Sequence, residues 1–322
     1  MKVFITGASG FIGGAVATRL RAAGHDVVAL SRSDGSDKKI QALGATPCRG
    51  ELGAVDPAIL RGCEIVIHCA AYVEAWGTFD QYWRANVDGT TQLLEAAKAA
   101  GASRFIHIGT EAALFRGQHM RDIDEKTPYP KSTPFYYSRT KAEAERRVLA
   151  ANDPQAGFQT ISIRPRMVWG PGDQTVLPEA LAMIERGAFA WIDGGARRTS
   201  TTHVDNLVHG VMLLLDKGRG GESYFVTDDE IVSYRDFLGR LIATQGVATP
   251  DRSLPGFVLR GAAYALETIW RTFGLKSAPP ITRFAVALIS RDCTIKIDKA
   301  KNELGYAPVI SVDDGMAAMP KL

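Results

Sequence analysis

The stretch FYYSRTKAEAE, residues 135 to 145, sets two tyrosines side by side at the start of a helical pattern and a lysine four residues after the second. Side chains four apart on an α-helix lie one above the other, so Tyr137 shares a stripe with Lys141 and Tyr136 shares one with Thr140. Only Tyr137 therefore has an ammonium as its axial neighbour. A phenol beside an ammonium is suited to proton transfer, and what would use it depends on the rest of the chain.

A second group of residues bears on that question. TGASGFIGG follows the first apolar run directly, with Gly7, Gly10 and Gly13 three apart and Ser9, Phe11 and Ile12 between them. Glycines where a strand hands over to a helix permit a tight turn and close approach of backbone to a pyrophosphate, which then rests on the positive end of the helix. The second strand, DVVAL, ends in Ser31 and Arg32, where an NAD-selective site usually carries a carboxylate. An arginine there can pair with a 2′-phosphate, which favours NADP(H) over NAD(H); the alternative is a solvated strand-end arginine, with Asp34 and Asp37 nearby.

These residues must be positioned by elements the sequence also announces. Short β-branched runs alternate with helical patterns: KVFIT, DVVAL, TPCR, EIVIHCA, a long helix around Gln81 to Ala100, RFIHIG, the helix of Tyr137 and Lys141, and QTISIRP. Continuous apolar strands separated by helices indicate an α/β fold with a doubly wound parallel sheet, the Rossmann arrangement. The dinucleotide-binding unit is expected over 1–169, with 199–228 returning to it through TSTTHVD and ESYFVTD. Residues 170–198 and 229–322 are expected to form a smaller, mainly helical substrate lobe.

The 322 residues, 46% of them hydrophobic, suffice for a large core, and a net charge of +3 without basic runs gives no case for nucleic acid. Cys48, Cys63, Cys69 and Cys293 lack CxxC spacing and read as reduced core thiols. MKVFIT enters a strand at once and no 18 apolar residues run together, so the expected location is the cytoplasm. His203, Asp205 and His209 make no recognised zinc pattern; Asp205 reads as the cap of the helix NLVHGVMLLL.

With TGASGFIGG, YYSRTK and RPRMVWGPGD in hand, the chain resembles the extended short-chain dehydrogenase/reductase superfamily, the NAD-dependent epimerase/dehydratase type, over essentially its full length. AWGTFDQYWRANVDGT and PPITRFAVALISRD look most like its branch of 3β-hydroxysteroid dehydrogenases, sterol-4-carboxylate 3-dehydrogenases and 2-alkyl-3-oxoalkanoate reductases. The resemblance makes Tyr137 the general acid/base and Lys141 its partner, which also binds the nicotinamide ribose. Holding a phenol reactive near pH 7.5 takes about 3.4 kcal/mol of preferential phenolate stabilisation, part of which an ammonium one turn away can supply. By the same resemblance Thr110 contacts the reacting oxygen and Asn86 has a structural role near the site. Ala70 and Ala71 let the cofactor lie close to the backbone, and Pro165 sits beside the nicotinamide or simply ends a strand.

Glu111 departs from the family's usual small residue and reads as a substrate-pocket or loop-anchoring side chain. Tyr136 reads as packing or substrate contact. The Thr-Asp-Glu run of sugar-nucleotide dehydratases is here Thr110, Glu111, Ala112, which argues against dehydration. The implied activity is hydride transfer between nicotinamide and a secondary alcohol or ketone of a bulky apolar substrate. The alternatives are a nucleotide-sugar epimerase using the same Tyr and Lys, and a dinucleotide-sensing regulator. In residues 254–289, Phe257, Leu259, Ala263, Leu266, Ile269, Trp270 and Phe273 recur at three- and four-residue steps. That apolar face is expected to pack on the second lobe or on a second copy in a homodimer, or to form a lid that brings Trp270 to the substrate and touches a membrane surface.

Overall fold

The structure, a computed structural model, describes residues 1–321. Its central sheet has seven strands: β1 Lys2–Thr6, β2 Asp26–Ser31, β3 Thr46–Arg49, β4 Ile65–His68, β5 Arg104–Ile108, β6 Gln159–Arg164 and β7 Ser223–Phe225. All pair in parallel, in the order β7-β6-β5-β4-β1-β2-β3. The direction of strand addition reverses between β1 and β4, and a crevice opens at the carboxyl ends of strands at such a point.

The continuous apolar runs follow from burial on both faces. Val3, Ile5, Ile65, Ile67, Ile106 and Ile108 enter one core, while Phe4, Val66 and Phe105, on the alternate pleats, enter the other. Helices α1 (Phe11–Ala22) and α4 (Val204–Asp216) cover the first face; α2 (Gly89–Ala99) and α3 (Tyr136–Ala150) cover the second. This is the Rossmann-like α/β fold.

The long helix expected around Gln81 to Ala100 is interrupted. A segment Phe79–Trp83, started by a capping box between Thr78 and Gln81, passes through a π-helical turn, Arg84–Asp88, into α2. The wide turn carries Asn86, which is buried. Its Oδ1 accepts from the Tyr72 backbone N–H at 2.7 Å, and its Nδ2 donates to Tyr72 O and to Thr140 Oγ1, each at 3.2 Å. One amide thus ties the loop after β4 to α3.

A second, mixed sheet draws Ile231–Ser233, Arg198–Ser200, Cys293–Ile295 and Met120–Ile123 together in that order. TSTTHVD is not one strand. It breaks at Thr201, whose hydroxyl donates to the buried Asp228, and Thr202–His203 then pairs with Val168–Trp169. The cap of α4 is His203 rather than Asp205: the imidazole Nδ1 accepts from the Asp205 N–H at 3.2 Å, because Asp205 already lies inside the first turn. Helices α5 (Gly256–Thr272) and α6 (Arg283–Ile289) complete the wall beside the crevice. Among the described residues no helix is long and apolar enough to cross a membrane.

Candidate active site

The turn between β1 and α1 is built for close approach. Gly7 has φ 77°, and a Cβ there would stand 2.9 Å from Ala70 N; a Cβ on Gly13 would stand 2.2 Å from Gly7 O. No side chain caps α1, so the N–H groups of its first turn stay available to a ligand. Gly7, Gly10, Phe11, Ile12, Gly13, Ala71 and Pro165 line a cleft of about 650 Å³ that continues to Thr110, Tyr136, Tyr137 and Lys141. Glycines where no Cβ fits, bare N–H groups and an elongated cleft suit a dinucleotide. Ala70 lies directly behind Gly7. Ser9, Ser31 and Arg32 stand outside the cleft lining; Ser31 is buried and Arg32 is exposed at the end of β2.

Lys141 is buried beneath the cleft. Its ammonium donates to Ile108 O at 2.9 Å and meets His107 Nε2 at 3.2 Å, leaving one N–H uncommitted. An ammonium can only donate, so the imidazole proton sits on Nδ1, which finds no partner among the described residues. Burial lowers the pKa of Lys141 to about 8 against the opposing field of Glu145.

For Tyr137 the direction is the reverse of the one expected from Lys141 alone. Burial pushes its pKa upward and the charge of Glu111 pushes the same way, with the neighbouring Thr110 hydroxyl opposing them. The ammonium of Lys141 is engaged on Ile108 and His107 rather than on the phenol. Tyr137 is thus held as a neutral phenol, a proton donor.

Glu111 does not face the substrate space. It is buried with Arg166, whose Nη1 it accepts, and its other oxygen accepts from Thr110 Oγ1 at 2.8 Å. Arg166 also donates to Thr199 Oγ1 at 3.0 Å and to Tyr234 OH at 2.7 Å. The carboxylate anchors the loop of Thr110 to the second sheet.

The expectation that residues 254–289 bring Trp270 to the substrate is corrected. Helix α5 turns Gly256, Ala263 and Glu267 inward and leaves Phe257, Val258, Tyr264, Ile269 and Phe273 exposed. Trp270 does not line the cleft; on the next stripe Glu267 and Arg271 do. The apolar wall comes instead from α6, through Phe284, Ala285, Leu288 and Ile289, with Phe135 packed against Phe284. The inward stripe of α5 combines the small Gly256 and Ala263 with Glu267.

Several residues of this site escaped the sequence reading. His68 is held between Thr6 Oγ1 at 2.7 Å and Thr90 Oγ1 at 2.9 Å, and burial lowers its pKa to about 3. Glu145 anchors α3 to β6 by pairing with Arg164 at 2.7 Å, with Ser162 and Tyr129 donating to the same carboxylate. Met167, at φ 41°, lines the cleft. The available signals were the polar residues set inside apolar runs, in VIHC, FIHI and SIRP.

Fold and site together define an enzyme that uses a nicotinamide dinucleotide on an alcohol or carbonyl group. Residues 3–227 match the NAD dependent epimerase/dehydratase family, and the chain belongs to that family. It is 40% identical to the 4-hydroxy-2-methyl-3-oxo-4-farnesyl-3,4-dihydroquinoline-1-oxide ketoreductase of Stigmatella aurantiaca, over 99% of this chain and 96% of the relative. It is 32% identical to the 2-alkyl-3-oxoalkanoate reductase of Stenotrophomonas maltophilia, over 98% and 97%. The crystal structure of gox2253 superposes with a TM-score of 0.76 at 30% identity, covering 98% of this chain and 96% of that one. The chain is a dehydrogenase/reductase acting on CH–OH or C=O.

Proposed function

We propose that the protein is an NADP(H)-preferring reductase of a ketone on a bulky apolar substrate, with Tyr137 as general acid and Thr110 and Lys141 as its partners. The observation that carries this reading is the placement of Tyr137, Lys141 and Thr110 in one cleft with the glycine turn after β1 and an apolar wall of Phe135, Phe284, Leu288 and Ile289. A nicotinamide dinucleotide held along the glycine turn of Gly7, Gly10 and Gly13 would supply hydride to the reacting carbon, or take it up in oxidation. Tyr137 delivers its proton to the carbonyl oxygen, and in oxidation takes it back. Thr110 gives its hydroxyl hydrogen to Glu111 and so does not compete as a donor to the carbonyl oxygen, which leaves that role to Tyr137. The uncommitted N–H of Lys141 serves the ribose hydroxyls.

The NADP(H) preference rests on Arg32. It is exposed at the end of β2 and forms no ion pair among the described residues, while Asp34 and Asp37 are both engaged by Arg49. An epimerase would need to hold a charged diphosphate, whereas the charged lining here is Glu74, Lys141, Glu267 and Arg271. Each buried methylene contributes about 0.8 kcal/mol, so an alkyl chain or ring system gains more in this cleft than a sugar.

The exposed stripe of Phe257, Val258, Tyr264, Ile269 and Phe273, flanked by Arg260, Lys276 and Arg283, suits contact with an anionic membrane surface from which such a substrate enters. Sedimentation with anionic vesicles tests this contact; a homodimer that buries the stripe would replace it. The activity is tested by a panel of ketones graded in apolar size, with NADPH and NADH, followed at the nicotinamide absorbance. Turnover rising with apolar size is expected. Interconversion of UDP-glucose and UDP-galactose without net cofactor change would sink the reading.

A further inference from the structure

His107 lies on β5 in register with His68 on β4, and its side chain leaves the sheet on the same pleat as Phe105, toward the face that α2 and α3 cover. The imidazole is buried and meets Lys141 Nζ through Nε2 at 3.2 Å, while Nδ1 carries the ring proton and has no partner among the described residues. A buried N–H without an acceptor costs stability, and a leucine would fill the same place without that cost. What the imidazole adds over an apolar side chain is one lone pair, and Lys141 receives it. His68, tied to Thr6 and Thr90, packs against the ring with 5.5 Å between centroids.

The ammonium depends on that lone pair. Lys141 is buried and forms no ion pair among the described residues; Glu145, on the same helix, spends its carboxylate on Arg164, Ser162 and Tyr129. Its two acceptors are Ile108 O at 2.9 Å and His107 Nε2, both uncharged. The titratable groups that face it from β4 and the residue after it bring no negative charge: burial keeps the Cys69 thiol protonated, at about 12, and His68 neutral, at about 3. Tyr137, on its own helix, is a neutral phenol. A buried cation that loses one of two acceptors sheds its proton more readily.

We propose that His107 is a positioning residue for the reaction: its Nε2 lone pair holds the buried Lys141 ammonium in place, so that the lysine meets the dinucleotide as a cation. Its bearing on catalysis rests on the oxidoreductase reading, and the titration of the lysine and turnover separate the two. In the wild type, long-range proton–nitrogen correlation spectra should show His107 as the neutral ring protonated on Nδ1 between about pH 6 and 9, with the Nε2 resonance moving as Lys141 titrates. A proton on Nε2 in that range overturns the role. Lys141 itself is followed through the Cε resonance of carbon-labelled lysine, assigned by its loss in Lys141→Met. His107→Leu should lower the lysine midpoint by about 1 to 2 pH units, the effect of losing one hydrogen bond to a charged group. His107→Gln, whose amide oxygen is an acceptor, should restore part of that shift. An unshifted midpoint in His107→Leu, or the same shift in both variants, overturns the proposal. Turnover is read with saturating NADPH and the fastest ketone of the graded panel: the basic limb of kcat/KM should move down in His107→Leu together with the lysine midpoint. A limb that stays while the midpoint moves overturns the part of His107 in the reaction. Absence of turnover of every ketone refutes the reductase reading, and the lysine midpoint then decides by itself whether His107 holds the ammonium.

Discussion

Thr110 Oγ1 donates to Glu111 Oε2 at 2.8 Å, and the other oxygen of that carboxylate holds the guanidinium of Arg166. A buried ion pair therefore stands directly behind the hydroxyl beside Tyr137, and its negative member raises the pKa of the phenol. Loop anchoring and the protonation state of the acid are properties of one pair.

Removing either member of that pair leaves a buried charge unpartnered, which costs about 3–5 kcal/mol. Glu111→Leu and Arg166→Met should each lower the urea midpoint accordingly, and the double variant should lose markedly less than the sum. Strict additivity would show that the two side chains do not act together.

Tyr137→Phe is expected to lower turnover by about 100- to 10,000-fold, the range for loss of a general acid or base. Tyr136→Phe should cost far less, since that hydroxyl meets only Arg271. Steady-state assays of both variants decide the assignment, and equal losses would contradict it.

For cofactor choice, the wild type should bind NADPH more tightly than NADH, and Arg32→Asp should reverse the order through repulsion of the 2′-phosphate. Titrations followed by nicotinamide fluorescence give both ratios. Tighter NADH binding by the wild type would make Arg32 a surface residue only.

Acid should destabilise the fold through His68 and His107, both buried in neutral form. Burial is the main cause in each: it takes His68 to about 3 and His107 well below its ordinary value, with Lys141 adding to the effect. The folded pKa lies below the unfolded one, near 6.5, so between those values the unfolded chain binds more protons and stability falls with falling pH. Each histidine contributes about 1.4 kcal/mol per pH unit below pH 6. Urea midpoints at pH 7, 6 and 5 should fall along that slope, and His68→Asn and His107→Asn should each flatten it. A slope unchanged in both variants would assign the acid sensitivity to other groups.

What the sequence determined by itself was local. A strand running into Gly7, Gly10 and Gly13 and then a helix dictates a turn that only glycine can form, and the four-residue step from Tyr137 to Lys141 dictates a shared stripe. Doubly buried strands were legible because both pleats are apolar, as in Val3, Phe4 and Ile5. The helical periodicity of α5 was legible too, but not the side it buries, since a period reports a helix and not what covers it. Tertiary structure alone turned Glu267 and Arg271 to the cleft and Phe257 and Phe273 to the outside. It also chose the partners of the charged residues: His107 for Lys141, 34 residues away, and Arg166 for Glu111, 55 residues away. An unpaired charge cannot stay buried, so its sequence position announces that a partner exists; only the packing of distant segments says which one.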